Sequence, residues 1–465
     1  MRSFALILVS VLAEACLGTG CSADTPAPAD GGDQARDADG LDGDLPEGGE
    51  APDGGEDDPG DGFDGGSADA PADTDGGGCN LGTLAVREAG DLDWNATFED
   101  VALSTCARDL YRLVVPAETT VEIGLRARGL NLVVATLAYP DDPGLRAPLD
   151  TLSAAPGGPA RRLSFRSIRS GEYILFVQSI QPESEERYDL ALSCAEGCGR
   201  ESTRFPILLV HGWTGFSNIG PLDYFFGVPG TLRDRGYPVA VAVLDPYNSV
   251  EVRSAELARQ IDEALLSFRS RKLNIIAHSQ GGLDARRAVS TLGYGDRVAA
   301  LVTVATPHRG TPMADVALGY VPGPAQEAMN FLLNLLGATG GHESDAEASF
   351  HSLSRRYVNE EFNPQNPDDP RVRYLSYAGK CCPLGIGCED ACDVEIAWAQ
   401  PIIAGFSGDN DGMVPVESAP WGEFRGVLPA DHFDEVGQVA GITNPYFDQK
   451  DFYLGVARDL AAAGE

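Results

Sequence analysis

The sequence predicts an exported protein with a small all-β sandwich followed by an α/β domain, the latter a mostly parallel central sheet with helices on both faces. Three observations carry this prediction. Short runs of β-branched and aromatic residues, separated by Gly, Pro, Ser and Asp clusters, fill residues 79–198. From residue 205 onward, apolar runs alternate with amphipathic stretches in the rhythm of βαβ units. Ahead of both lies a segment too acidic and too poor in apolar residues to bury a core.

The chain opens MRSFALILVSVLAEACLGTGC, a basic Arg2 followed by an apolar run at residues 4–13. That run is too short to span a bilayer and suits the core of an export signal over residues 1–21. Gly18-Thr19-Gly20-Cys21 resembles a bacterial lipoprotein processing site, with Cys21 as the lipidated residue anchoring the protein to a membrane that faces periplasm or cell surface. Ala13-Glu14-Ala15 offers an ordinary cleavage site and free secretion instead. Either route ends in an oxidising compartment.

Residues 22–78 hold eighteen carboxylates and one base, Arg36, and so carry −17 of the formal net charge of −36. This reads as a disordered, self-repelling linker, with a calcium-binding acidic tract as the sharper alternative. The acidity thus belongs largely to one segment. No Lys/Arg stripe exists elsewhere, which excludes nucleic acid as a partner. At 465 residues and 43% hydrophobic content, the remainder is ample for folded domains.

Of ten cysteines, Cys16 and Cys21 fall in the signal. The others form two local groups of four: Cys79, Cys106, Cys194 and Cys198, then Cys381, Cys382, Cys388 and Cys392. Two disulfides per group follow from export, with the pairing open. A zinc site in CCPLGIGCEDAC is the competing reading.

In the sandwich, residues 110–115, 121–125, 132–137, 173–177 and 188–192 are predicted strands. GEYILFVQS and RYDLALS resemble the small pre-peptidase C-terminal type domains that accompany secreted hydrolases. No catalytic constellation lies here, so a folding or spacing role is expected. In the second domain, residues 203–465, PILLVHG, LNIIAHS and VAALVTVATPHRG are buried strands, and residues 254–267 have helical spacing.

Chemistry enters at AHSQGG, where Ser279 follows an apolar strand and precedes the opening of a helix. A serine hydroxyl is a poor nucleophile; it needs a base, a group orienting that base, and N–H donors for the oxyanion. Five of the six histidines are set aside by position, and only His432 follows every strand. Asp411, in SGDNDGMVP after the apolar PIIAGF run, reads as a carboxylate presented by a strand tip. Ser279, Asp411, His432 is the chain order of an α/β hydrolase.

PILLVHGWTG, IIAHSQGG, TVATPHRGTPMAD, DNDGMVPV and DHFDEVGQVAGIT then come in order through most of residues 203–465. Together they resemble the bacterial secreted triacylglycerol lipases of the true-lipase family that includes the Pseudomonas and Burkholderia enzymes. The resemblance implies Ser279 as nucleophile, His432 as general base and then acid, and Asp411 as the carboxylate holding the imidazole tautomer. It implies oxyanion donors at the backbone N–H groups of Trp213 and Gln280, with Trp213 departing from the family's usual leucine or methionine. It implies structural Ca²⁺ on Asp434, the carbonyls of Gln438 and Ile442, and a second carboxylate, Asp390, with Asp393 as its rival. Between 311 and 363 it implies a lid, whose apolar helix is residues 325–336.

The sequence reading is therefore an exported carboxylic ester hydrolase acting on water-insoluble acylglycerols, a triacylglycerol lipase. A short-chain carboxylesterase, an acyltransferase, and a surface-binding module with an inactive hydrolase domain are the alternatives. Many members of the family fold with a dedicated lipase-specific foldase, a further implied partner.

Overall fold

The computed structural model describes residues 79–213, 224–321, 345–383 and 389–465. The export signal, Cys21, the acidic linker, residues 325–336 of the expected lid, and Cys388 lie outside the described residues. Among the described residues no helix is long and apolar enough to cross a membrane.

The first part is built from nine strands: β1 Ala85–Asp91, β2 Thr97–Leu103, β3 Ala107–Val115, β4 Thr120–Ala127, β5 Val133–Ala138, β6 Asp150–Ala154, β7 Arg161–Arg166, β8 Gly171–Ser179 and β9 Glu186–Glu196. They form a sheet ordered β1-β3-β8-β5-β6 and another ordered β2-β9-β4-β7. Alternation drives the layering. In β4, Val121, Ile123 and Leu125 are fully buried while Thr120, Glu122 and Gly124 are not. These three share one core with Leu113 and Val115 of β3 and Leu175 and Val177 of β8, so the two sheets face each other. Disulfides join Cys79 to Cys106 and Cys194 to Cys198, which settles the pairing of the first group.

The second part is a six-stranded sheet ordered β11-β10-β12-β13-β14-β15, parallel throughout. Its strands are β10 Ile207–Val210, β11 Val239–Val241, β12 Leu273–His278, β13 Val298–Val304, β14 Arg373–Gly379 and β15 Glu423–Leu428. The helices used below are α1 Val228–Arg235, α2 Val250–Phe268, α3 Gln280–Val289, α4 Pro312–Ala317, α5 Ala346–Leu353, α6 Gln400–Ser407 and α7 Gln449–Ala462.

Continuous apolar strands arise because both faces of this sheet are covered. Ile207 and Leu209 pack with Val228 and Leu232 of α1 and Leu454 and Leu460 of α7. Leu208 and Val210 point the other way, onto Leu257 and Ile261 of α2 and Ala285 and Ala288 of α3. Each such leucine or isoleucine contributes about 1.5–3 kcal/mol by leaving water. Helix α2 starts at Ser249, whose side chain accepts from Val252 N, and ends at Arg269 in the left-handed conformation.

The sandwich meets the α/β part at the ends of the strands remote from Ser279. Arg169 donates to Ser267 O at 2.6 Å, Arg269 pairs with Asp141 at 2.9 Å, and Ser170 donates to Gly236 O. Gly236, Ser267 and Arg269 all precede the strands they feed. The sandwich is thereby held at the end of the strands opposite the catalytic candidates.

One expected element is corrected. PIIAGF lies in α6, not in a strand. Pro401 sits in the first turn, where its missing N–H costs nothing. The strand that supports Asp411 is β14 instead, whose continuation at Cys381 donates from N to Asn410 O at 3.0 Å.

Candidate active site

Ser279 stands at the turn between β12 and α3, with φ +55° and ψ −132°. A non-glycine residue holds such a strained backbone only where its surroundings fix it. The approach is close. A Cβ on Gly281 would lie 2.7 Å from His211 O, and one on Gly212 would lie 2.5 Å from Ser279 Cβ. Both positions therefore require glycine.

The structure brings Ser279, Asp411 and His432 together. Ser279 Oγ is 3.0 Å from His432 Nε2, and His432 Nδ1 is 2.8 Å from Asp411 Oδ2. Asp411 is fully buried, and its Oδ1 accepts from the N–H groups of Met413 (2.8 Å) and Val414 (2.6 Å). Those donors fix the orientation of the side chain, and its Oδ2 accepts the hydrogen bond from Nδ1–H, which leaves Nε2 free to accept from the serine.

The other half of the site is the loop after β10. Leu244 N donates to His211 Nε2 at 3.0 Å, so His211 carries its proton on Nδ1 and gives it to Gly212 O at 2.9 Å. Burial, then the charge of Arg253, push His211 down to about 3, which keeps it neutral. Arg253 also reaches His211 O at 2.8 Å and Gly212 O at 3.4 Å, and it pairs with Asp284 at 2.8 Å with both side chains fully buried. Gly212 O and Trp213 N–H belong to one trans peptide and point opposite ways, so fixing the carbonyl fixes the N–H. The second expected donor, Gln280 N–H, is the first of α3 and has no intrahelical acceptor. Gln280 is held through its side chain, which donates to Asn248 O and accepts from Ser349 Oγ of α5, each at 3.0 Å.

Sequence reasoning missed a buried chain behind the triad residues. Gly212 N–H donates to Tyr224 Oη at 3.1 Å, Tyr224 Oη shares a hydrogen bond with His278 Nδ1 at 2.6 Å, and His278 Nε2 shares one with Glu435 Oε2 at 2.7 Å. Burial and the neighbouring His432 hold His278 well below the usual imidazole range. Glu435 Oε2 is also 3.8 Å from His432 Nδ1. The one sequence signal was the position of His278 beside the serine.

A slot opens onto Ser279 and His432, walled by Trp213, Met313, Leu353 and Phe350, with Met413 and Phe433 completing the apolar surface. Helices α4 and α5, which flank residues 322–344, supply Met313, Ala314, Phe350 and Leu353 to it. Among the described residues, none from 79–198 lines it.

Asp390 and Asp434 meet beside His432, joined by Asp431, which the sequence reading did not single out. One oxygen of each lies within 4.8 Å of the others, and all three residues are buried. Burial, then the neighbouring carboxylates, raise Asp390 to about 8; burial raises Asp431 and Asp434 each to about 6. A nearby positive charge would offset the mutual repulsion of three carboxylates so placed, and an all-oxygen donor set suits a hard cation. Asp393 is not one of the three; its N–H donates to Asp431 Oδ2 at 2.6 Å. Gln438 and Ile442 follow in the same loop, where Gln438 N donates to Phe433 O and Ile442 N to Val439 O, each at 3.0 Å.

The cysteine cluster is not a thiolate zinc site. Cys381 and Cys392 form a disulfide, and Cys382 is disulfide-bonded as well. The bond sits in a small core with Ile396 and Phe433.

A strand-turn-helix serine reached by an acid and a histidine from later loops of a parallel sheet defines an α/β hydrolase. Residues 206–376 match the family described as alpha/beta hydrolase fold. Relatives that carry the name triacylglycerol lipase match much of the same chain. That of Vibrio cholerae is 29% identical over 290 residues, covering 57% of this chain and 90% of the relative. That of Pseudomonas fragi is 28% identical over 289 residues, covering 57% and 98%. Among solved structures, a Bacillus licheniformis lipase is similar at 23% identity and a TM-score of 0.44, covering 56% of this chain and 94% of that one.

Proposed function

We propose that the protein is a serine carboxylic ester hydrolase that releases fatty acids from acylglycerols, a triacylglycerol lipase. The observation that carries the chemistry is the contact of His432 Nε2 with Ser279 Oγ at 3.0 Å, backed by Asp411 at 2.8 Å. His432 takes the serine proton as Oγ attacks the ester carbonyl. The tetrahedral oxyanion forms against the N–H groups of Trp213 and Gln280. His432 then gives its proton to the leaving alcohol, and a water activated by the same nitrogen releases the acid from Ser279. The apolar slot and the names of the relatives support an acylglycerol as the ester. Titration of fatty acid released from emulsified long-chain triacylglycerol, by the wild type and by Ser279→Ala, tests this reading; equal release by both would sink it.

Export, the Cys21 anchor at a bacterial membrane and the foldase belong to the same proposal. They are supported by the composition of residues 1–78, by the disulfides, and by the resemblance to secreted enzymes.

The carboxylate cluster is proposed to hold Ca²⁺ on Asp390, Asp431 and Asp434, with the carbonyls of Gln438 and Ile442. Calcium bound there would supply a positive charge that offsets the repulsion among the three carboxylates, and so would brace the loop that carries His432. The expected result is a Tm that rises with added calcium, by about 2.7 kcal/mol of stability at a hundredfold excess over Kd. Asp431→Asn should shift the midpoint to higher calcium. A Tm indifferent to both calcium and chelator contradicts the assignment.

Gly212→Ala tests the close approach at the oxyanion loop. Its methyl group would meet Ser279 Cβ at 2.5 Å and Tyr224 Oη and His278 O at 2.9 Å. Displacing the loop by such an amount should lower kcat/KM on a soluble ester by about 10²-fold. Unchanged kinetics would mean that the loop has room to move.

A further inference from the structure

We infer that the slot carries a second recognition point: the indole N–H of Trp213 donates a hydrogen bond to an acceptor oxygen that the substrate holds close to its reacting ester. This rests on the ester-hydrolase reading above and adds a substrate feature to it.

Trp213 is 7% exposed and lines the slot together with Ser279 and His432. Its ring packs edge-on against Tyr247, with centroids 5.6 Å apart, and lies 5.2 Å from Phe350. Met313, Val316 and Ile403 complete its surroundings. In this apolar setting the buried Nε1–H has no acceptor among the described residues. Folded proteins leave few buried donors unpaired, and each such group calls for an explanation.

The remaining polar side chains of the slot are already committed. Tyr224 Oη is shared between Gly212 and His278. Thr311 Oγ1 donates to Met413 O at 2.6 Å. His432 is engaged through both nitrogens, and Gln438 has a partner of its own. Among the described side chains that line the slot, the indole N–H is therefore the donor left without an acceptor. Its acceptor has to arrive with the ligand.

The apolar walls exclude a charged group, so the acceptor is a neutral oxygen. Two placements satisfy the chemistry: a hydroxyl or ether oxygen on the acyl chain near the carbonyl, or the oxygen of a neighbouring ester in the alcohol part, as in a vicinal diester. A site built around a buried donor discriminates strongly against an analogue that lacks the acceptor, because that analogue strands the donor.

The test uses matched ester pairs with the wild-type protein, each rate normalised to hydroxide-catalysed hydrolysis of the same ester. One pair compares a 3-hydroxyacyl ester with its unsubstituted acyl counterpart. The other compares an ethane-1,2-diol diester with a simple alkyl ester of equal length. The wild type is expected to favour the oxygen-bearing member of at least one pair by about tenfold in kcat/KM, and the pair that responds identifies the placement. Trp213→Phe keeps the ring and removes the N–H, and should return that ratio to about one. Trp213→Leu serves the same comparison if the phenylalanine variant does not fold.

Ratios near one for both pairs in the wild type, or a preference that survives loss of the indole, overturn the inference. Ser279→Ala on the same esters reports separately on the underlying reading: turnover that persists there removes the serine mechanism whatever the ratios show.

Discussion

His432→Ala is expected to lower kcat by about 10⁴- to 10⁶-fold, and Ser279→Ala by a similar factor. The double variant should be little worse than either alone, because the two groups act as one unit through their 3.0 Å contact. Asp411→Asn should cost about 10⁴-fold. The amide offers an N–H where the imidazole Nδ1–H now finds an acceptor at 2.8 Å, and so disfavours the tautomer that leaves Nε2 free to accept the serine proton. Single-turnover release of a chromogenic alcohol measures each step. Additive losses in the double variant would mean that serine and histidine act in separate steps.

Arg253→Ala is expected to give the largest loss of stability outside the hydrophobic cores. Arg253 and Asp284 are both fully buried, 2.8 Å apart, and removal of one leaves the other in the interior without its partner. Breaking a buried pair in this way costs about 3–5 kcal/mol, which for an α/β domain of this size lowers Tm by about 10 °C. Asp284→Ala should cost a similar amount, and the double variant less than the sum of the two. Because Arg253 also holds His211 O at 2.8 Å, the surviving folded fraction should show a reduced kcat. Calorimetry on the three variants checks this; an unchanged Tm in Arg253→Ala would show that Asp284 has another way to be satisfied.

The parts of the fold that the sequence disclosed are those whose strands are buried on both faces. PILLVHG, LNIIAHS and VAALVTV are unbroken apolar runs, and they became β10, β12 and β13. The neighbours were hidden for physical reasons. Strand β11 has three residues, too short for any period to show. Strand β15, EFRGVL, is an edge strand with mostly exposed side chains. In the sandwich, β1, β2 and β7 are likewise charged and mostly solvent-facing, so AVREAGD and RRLSFR carried no strand signal. PIIAGF failed differently: six apolar residues suit a strand or a buried helix equally, and the proline that opens α6 was the deciding residue.

At the site, the three residues proposed to react, which the fold brings together, were legible because the mechanism fixes both their types and their chain order. The residues that hold them were not. His211 is reached from Leu244, Arg253 pairs with Asp284, and His278 bonds Glu435 at a sequence separation of 157. Each is an ordinary polar residue until the fold buries it, and no local pattern announces a contact across that distance. Asp431 escaped for the related reason that its neighbours Asp390 and Asp434 arrive from two different loops.

The central claim, that Ser279 is the nucleophile of an ester hydrolase, is tested most directly by covalent labelling. The native protein would be treated with an alkyl p-nitrophenyl phosphonate, and the modified peptide mapped by mass spectrometry. The account predicts one equivalent of p-nitrophenol and one adduct on Ser279, with labelling slowed by several orders of magnitude in His432→Ala. Labelling at another residue, or a folded protein that releases no p-nitrophenol, would contradict it.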